Sequence, residues 1–458
     1  MKTKTLTVIV VVISLVIGGI VVMLPRLTIR AQKNSDWPMY RHDQQHTGYT
    51  DCKVPDNLEL LWKFKTEDNI DSSPSVVNGK VYIGSDDSYV YCLTADTGEL
   101  VWKFKTGDKV FSSPTVMDGK VYIGSDDSYV YCLTADKGEL VWKFKTGEPV
   151  WPSPAVVDGK VYTGSGDRFI YCLTASTGEF VWRYEIDVWV ASSPAVVNGK
   201  VYIGARDRHM YCLTAETGEL VWAYDEFTRP YDRLRASPTV INGKVYISYY
   251  VYPCCNSFLL CMDADTGDLF WFFEPGEEIV YGSPAVAYGN AYLGSGNNYV
   301  FCVTADTGEL VWAYETDDDI ASSPAVADGK IYIGSTDGYV YCFNAYTGEV
   351  IWRYRTDDMI GKSSPAVADG KIYIGSYDDY VYCFGAGEES HPSTATPPPS
   401  TSPQTLMPSA TAAPPQTSRA PPPEETRSSL LYSLTGILIA AISITLLLII
   451  KKKSNSRQ

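Results

Sequence analysis

The sequence predicts an all-β chain folded as an eight-bladed β-propeller of four-stranded blades, and three observations carry that expectation. The stretch from Ser73 to Trp102, SPSVVNGKVYIGSDDSYVYCLTADTGELVW, returns lightly edited along most of the chain. Its Ser-Pro pairs end at Pro74, Pro114, Pro154, Pro194, Pro238, Pro284, Pro324 and Pro365, mostly 40 or 41 residues apart, which is a propeller period. The last unit, Ser364 to Gly387, lacks a tryptophan strand, and a spare one, Leu58–Lys65, stands before the first Ser-Pro. Joined, the two complete the eighth blade and close the ring, which removes open sheet edges.

Each unit divides into four strands. Strand A is Ser-Pro-x-Val. Asn78-Gly79, Asp118-Gly119, Asp158-Gly159 and Asn198-Gly199 then supply the positive φ of a two-residue hairpin. Strand B is Lys-Val-Tyr-Ile-Gly, and a polar loop such as Asp86-Asp87-Ser88 leads to strand C, Tyr-Val-Tyr-Cys-Leu. The turn Asp96-Thr97-Gly98 opens strand D, where Trp102 and Phe104 share one face and Lys103 and Lys105 the other. The composition agrees: of 458 residues 45% are hydrophobic, and 34 Tyr with 36 Gly suit strands and tight turns better than helices. A net charge of −16 argues against a nucleic-acid partner.

Eight of the 11 cysteines fall at one strand C position: Cys92, Cys132, Cys172, Cys212, Cys261, Cys302, Cys342 and Cys383. Equivalent points on neighbouring blades lie at least roughly 10 Å apart, too far for a disulfide. These eight are therefore expected to be small buried apolar residues. Cys254 and Cys255 are adjacent in an irregular insertion and are candidates for a vicinal disulfide outside the cytoplasm.

Both ends depart from the repeat. Residues 1–33 carry Lys2 and Lys4 before an apolar run, Leu6 to Leu24, and read as a signal peptide or an N-terminal membrane anchor. The segment Asp36 to Thr50 reads as a strap packed on the propeller of residues 34–387. Its His42, Asp43 and His46 invite a metal reading, but no remaining ligand set is apparent. Residues 388–429 are rich in Pro, Ser and Thr and read as a disordered stalk. Residues 430–450 form an apolar run long enough to span a bilayer as a helix, and Lys451, Lys452 and Lys453 put a cytoplasmic tail, 451–458, after it. The propeller is thus expected on the extracytoplasmic side of a cell membrane, between terminal hydrophobic helices.

The A-to-B and C-to-D turns share one end of the ring and hardly vary. The D-to-A and B-to-C connections share the other end, and both length irregularities fall there, around Phe227–Ala236 and Cys254-Cys255. Three residues before each repeat proline the chain should approach the channel mouth. That position holds Asp71, Phe111, Trp151, Ala191, Arg235, Tyr281, Ala321 and Lys362. Phe111, Trp151, Trp189, Arg206, Arg208, Arg235 and Tyr281 form the candidate ligand-binding set, a cationic and aromatic patch suited to an anionic or carbohydrate-like ligand. The competing reading pairs the arginines with Asp207, Asp225, Glu226 and Asp232. Four histidines in all, and no Ser/His/Asp set, phosphate loop or Cys-His cluster, leave no compact catalytic constellation.

The run Ala95-Asp96-Thr97-Gly98-Glu99-Leu100-Val101-Trp102 resembles the tryptophan-docking repeat of quinoprotein-type (PQQ-like) β-propellers, over about residues 36 to 387. Asp36-Trp37 with Thr47-Gly48-Tyr49 looks like the lead-in such proteins carry. That family includes pyrroloquinoline-quinone dehydrogenases and the non-enzymatic propeller of outer-membrane assembly, and this chain is more similar to the second branch. One departure stands out. Thr94, Thr134, Thr174, Thr214 and Thr304 occupy a place where the family usually has Asp, so a hydroxyl is expected to make the docking bond to the neighbouring blade. The stalk, the anchor, the near-identical blades and the lack of a compact catalytic constellation point to a membrane-tethered binding or protein-interaction scaffold at the cell surface, with a protein or glycan ligand on the variable-loop face and no cofactor. The alternative is a PQQ- and Ca-dependent dehydrogenase, with Trp151 or Trp189 stacking on the cofactor and Asp71 as the one carboxylate at the mouth.

Overall fold

The computed structural model describes residues 36–206, 209–224, 232–233, 236–251, 256–277 and 282–387. The two terminal apolar runs, the Pro-rich stalk, Cys254 and Cys255 lie outside them. Among the described residues there are strands and turns and no helix, hence no helix long and apolar enough to cross a membrane.

Eight antiparallel sheets form blades 1 to 8 at residues 75–105, 115–145, 155–185, 195–224, 239–277, 285–315, 325–355 and 366–385. Consecutive innermost strands touch all the way round, and blade 8 returns to blade 1. The spare strand, Glu59–Lys65, pairs with Tyr380–Gly385 and becomes the outer strand of blade 8. Closure thus joins the two ends of the described chain by a ladder of backbone hydrogen bonds, as the strand count requires.

The A-to-B hairpins turn through positive φ at both central residues, as at Asn78 (52°) and Gly79 (74°). Blade 6 keeps the geometry with Tyr288 (53°) and Gly289 (76°).

Blade-to-blade packing follows from a triplet across strands B, C and D. In blade 1, Tyr82 stands opposite Cys92, and Cys92 opposite Trp102. The small cysteine lets the two large rings close over it, to 5.9 Å between centroids. Their polar tips then meet one acceptor on the next blade. Tyr82 Oη donates to the Ala135 carbonyl at 3.0 Å and Trp102 Nε1 donates to the same oxygen at 3.2 Å. The pattern recurs at Ala95, Ala175, Ala215 and Ala264. All eight cysteines are buried and free. Burial pushes the Cys92 thiol up to about 12, so at neutral pH it is an inert apolar filler.

This corrects the docking expected of the threonines. Thr94 Oγ1 bonds Thr97 Oγ1 at 2.6 Å and accepts the Glu99 N–H at 3.0 Å, closing its own turn. Asp263 and Asn344 brace the same turn in their blades. The bond to the turn alanine belongs to tryptophan and tyrosine, whose long side chains cross the gap that the threonine hydroxyl does not reach.

Three joints depart from the pattern, the first between blades 6 and 7, where Trp312 reaches the Ala345 carbonyl at 3.1 Å but the Tyr292 hydroxyl accepts from Asn290 Nδ2 instead. At the closing seam the chain leaves blade 8 where the C-to-D turn would be, and the buried Tyr332 hydroxyl finds no partner. Trp352 instead sets its ring edge on Phe384, 5.0 Å between centroids. Between blades 5 and 6, Tyr246 reaches Ala305 but the Trp271 indole N–H is left without an acceptor.

The glycine of each C-to-D turn is held by the docked ring. Gly178 has φ +73°, and a Cβ there would lie 2.6 Å from the Trp142 ring. Gly159 has nearly the same φ, +74°, with nothing within 4 Å of a Cβ. Gly159→Ala is therefore expected to cost about 1–2 kcal/mol from backbone strain alone. Gly178→Ala adds an overpacking cost of about 1–3 kcal/mol. Thermal or denaturant unfolding of the two variants checks this; equal destabilisation would remove the ring contact as the reason for glycine.

Candidate functional site

The serine of each Ser-Pro pair carries a second circuit around the axis. The backbone N–H of Ser73 donates to Ser113 Oγ at 2.9 Å. The relay continues through Ser153, Ser193, Ser237, Ser283, Ser323 and Ser364 and returns to Ser73. Eight hydroxyl groups thus encircle the channel, each already accepting one backbone N–H. The sequence shows these serines in every unit, but nothing in their spacing along the chain reveals that they meet.

The strap closes the channel at the hairpin end. Val116, Val196, Val240, Val286 and Val326 donate their N–H groups to carbonyls of Pro38, Gln44, Gln45, Thr47 and Gly48. Trp37 exchanges both its backbone bonds with Val76. Arg41 is buried and donates to the Pro284 and Pro324 carbonyls. His46 is buried against the Pro238 carbonyl at 3.2 Å, and desolvation pushes its pKa down to about 4. Asp43 accepts the N–H groups of Gln45 and Thr47 and sits 3.3 Å from His42 Nδ1. The residues of the metal reading are thus engaged in fastening the strap. Tyr40 points up the axis, 3.1 Å from Ser283 Oγ and 3.3 Å from Ser323 Oγ.

What remains is a blind pocket of about 300 Å³, with Tyr40 and the serine ring as its floor. Its wall includes Asp71, Phe111, Trp151, Ala191, Ala321 and Lys362, six of the eight mouth positions named from the sequence, together with Trp189 and Arg206. The other two mouth positions, Arg235 and Tyr281, lie outside the described residues, as does Arg208. So do Asp207, Asp225 and Glu226, the acidic partners proposed for the arginines. The irregular insertion also contributes to this end: Asp232–Arg233 adds a short strand beside Tyr250 and Val251.

The wall is lopsided. On one side Trp151 and Trp189 meet edge-to-face at 5.0 Å, and the Arg206 guanidinium lies 4.2 Å above Trp189. Across from them Asp71 is fully engaged. It accepts Tyr377 Oη at 2.7 Å and the Lys362 N–H at 3.1 Å, with Lys362 Nζ at 3.4 Å. Behind the wall stand two carboxylates the sequence did not single out. Asp86 pairs with Lys109 at 2.8 Å. Burial, then the charges of Asp108 and Asp86, push Asp126 up to about 6, while the charge of Lys109 opposes the shift.

A Ca²⁺-bound quinone would need about six to eight oxygen ligands around the metal. Asp71 is the carboxylate in the pocket wall and both its oxygens have partners; the remaining wall is rings, methyl groups, cations and serines. Among the described residues no three His, Cys, Asp or Glu side chains gather as metal ligands. The donor set does not fit that cofactor.

Asp126 is protonated more readily in the fold than in the open chain, so it favours folding at acid pH. That contribution fades as pH rises from about 4 to about 6. Trp151 stands beside Asp126 and therefore reports the same event. Intrinsic fluorescence should titrate with a midpoint near 6 in the parent and lose that step in Asp126→Asn and in Trp151→Phe. A step unchanged in both variants would contradict the assignment.

Comparison with known proteins agrees with this geometry. Residues 45–291 match the family described as the beta-propeller of beta-alanine-activating enzyme, and residues 256–390 match the outer membrane protein assembly factor BamB. No curated protein matches in sequence. Among solved structures, BamB from Moraxella catarrhalis superposes with a TM-score of 0.62 at 20% identity, covering 73% of this chain and 99% of that one. A europium-containing methanol dehydrogenase gives 0.64 at 15% identity, over 77% and 98%. The quinohemoprotein alcohol dehydrogenase from Comamonas testosteroni gives 0.64 at 17%, over 79% and 82%. At these identities the likeness is one of fold, and it spans an assembly factor and enzymes alike. With more than half its length matched by a propeller family and its blades docked through the repeat tryptophans, the chain belongs to the PQQ-like β-propeller family.

Proposed function

We propose that this protein is a membrane-tethered, extracytoplasmic binding propeller that takes a protein or glycan partner at the variable-loop face. The observation that carries the reading is the blind mouth pocket, floored by Tyr40 and walled on one side by Trp151, Trp189 and Arg206. A pocket walled by edge-to-face aromatic rings and a guanidinium suits a sugar ring or an aromatic or anionic side chain presented from outside. The likeness to the fold of an outer membrane protein assembly factor supports a scaffold role. The dehydrogenase alternative has the likeness of fold but not the ligand oxygens, because Asp71 is committed to Lys362 and Tyr377. The reading takes no cofactor.

Tethering rests on the 430–450 apolar run followed by three lysines. A reporter fused after Gln458 should be active only in a form that works in the cytoplasm; activity of an exported-only reporter would reverse the orientation.

The ligand test uses the full chain in neutral detergent on glycan and peptide arrays, with pyrroloquinoline quinone plus Ca²⁺ as a separate arm. A saturable hit weakened about tenfold or more by Trp151→Ala or Trp189→Ala is expected, since a stacked ring is worth on the order of 1–2 kcal/mol. Hits indifferent to both substitutions would remove the mouth as the site. Saturable quinone binding with dye reduction would replace this reading with the enzymatic one.

A further inference from the structure

The repeat is broken on a second surface, the outer wall, and it is broken in a pattern. The residue after each strand D tryptophan points away from the docked blade into the open wedge between outer strands. In blades 7, 8, 1, 2 and 3 it is Arg353, Lys63, Lys103, Lys143 and Arg183; in blades 4, 5 and 6 it is Ala223, Phe272 and Ala313. The next outward position is Arg355, Lys65, Lys105 and Lys145 in blades 7, 8, 1 and 2. It becomes Glu185, Glu274 and Glu315 in blades 3, 5 and 6. All of these side chains are exposed, and Phe272 is 56% exposed.

The cationic side is organised. Lys63, Lys103 and Lys143 each lie over a tyrosine of the neighbouring strand, at 4.2, 4.3 and 4.2 Å from the Tyr380, Tyr89 and Tyr129 ring centroids. Arg353 lies 4.9 Å above Tyr339. Lys63 also pairs with Asp357 at 3.3 Å and Lys103 with Glu67 at 3.7 Å, so charge in this first tier is held on the wall, and the second tier of Arg355, Lys65, Lys105 and Lys145 carries the outward-facing positive charge. Lysine at this place also discourages pairing of the exposed edge strand with other chains. Blades 4 to 6 lack that protection. Blade 5 presents Phe270 and Phe272 on the longest outer strand, Leu269–Glu277.

Both flanks share an apolar lip just below the charged tier, as at Leu100 and Val101 in blade 1 and Leu310 and Val311 in blade 6. The two flanks lie on opposite sides of the ring, because blade 1 and blade 5 are four blades apart in a circuit of eight.

We infer that the outer wall is a self-association surface on which the cationic flank of one copy, blades 7, 8, 1 and 2, takes the apolar and acidic flank, blades 4 to 6, of a second copy. Charge complementarity chooses the occupant: one unlike flank fits the other, and no further partner is needed to account for both. Opposite placement makes the contact heterologous. A two-fold dimer cannot satisfy both flanks in one interface, so association runs head to tail and leaves a free flank at each end. The net charge of −16 opposes close approach, but beyond about 8 Å it is screened at physiological salt while the facing flanks act at contact. The inference is independent of what the mouth pocket binds.

The test exploits the repeat itself, because each substitution installs a residue the same position already carries in another blade. The first variant, Ala223→Lys, Phe272→Lys and Ala313→Lys, keeps the cationic flank and converts the other. The second, Lys65→Glu, Lys105→Glu and Lys145→Glu, keeps the apolar and acidic flank. Full chains in neutral detergent are followed by analytical ultracentrifugation and mass photometry, with unfolding curves confirming that each variant folds. The parent should form a ladder of dimer, trimer and longer species that grows with concentration and shrinks as salt is raised. Each variant alone should weaken association tenfold or more. Mixed, the two should form a one-to-one complex that does not grow. A parent that stays monomeric, a ladder unchanged in either variant, saturation at a dimer, or a mixture with no complex would each overturn the proposal.

Discussion

The fold depends on one carbonyl oxygen per blade, that of the alanine opening each C-to-D turn. At five of the eight joints the tyrosine hydroxyl and the tryptophan indole of the preceding blade both end on it, as at Ala135. Each such bond contributes about 1 kcal/mol in net terms; the larger effect is geometric. One strand separates the tyrosine from the tryptophan, so their tips can converge only if the residue between them is small. Cysteine meets that need without a polar group to satisfy. The glycine two places after the turn's Asp then has to be bare, because the indole lies across it. One shared acceptor thus dictates four residue types at fixed spacing, which explains why the unit is copied so closely.

A ring built from such joints has two places where the rule cannot hold. One is the seam, where the chain enters and leaves. Blade 8 gains its outer strand from Glu59–Lys65 but has no continuous turn to offer, and Tyr332 is left unpaired while Trp352 turns to Phe384. The ladder of the closing strand compensates by tying the two ends together. The other is the axis, where the inner strands carry unused N–H groups toward the channel. The strap supplies carbonyls to six of them, at Val76, Val116, Val196, Val240, Val286 and Val326. Closing the axis from one end turns a channel into a pocket and gives the ring a distinct front and back.

Much of this was legible in the sequence, and the reasons are physical. Blade count, strand boundaries, the closing strand and the burial of the eight cysteines all follow from local rules read eight times over. The mouth positions were legible because a repeat fixes which loop residues share an end, and six of eight line the pocket. Other features depend on contacts between residues far apart in the chain. Tyr40 reaches the axis only because the strap crosses the hairpin end. The serine relay joins residues some 40 positions apart. Thr94 was expected to dock the next blade, yet it closes its own turn, because spacing does not report the reach of a side chain. Asp126 became notable only when burial and two other carboxylates were placed beside it.

The same logic says where variation can carry function. Residues facing the next blade, the shared carbonyl or the axis are bound to the geometry of the ring, and changing one strains a joint. Two surfaces escape that constraint: the front, where loops end at the mouth, and the outward positions of strand D. Both vary, and neither varies at random. At the mouth, rings gather at Phe111, Trp151 and Trp189 while Asp71 and Lys362 stand together. On the wall, lysines and arginines fill one side and Ala223, Phe272 and Ala313 the other. A surface kept only for solubility would scatter its charges, since exposed substitutions seldom change stability by more than about half a kcal/mol. Blade-by-blade sorting into a cationic side and an apolar, acidic side therefore reflects a demand that acts on whole flanks. Pairing within the ring answers part of that demand, since Lys63 and Lys103 reach Asp357 and Glu67 of the preceding blade, but it does not account for the second cationic tier of Arg355, Lys65, Lys105 and Lys145.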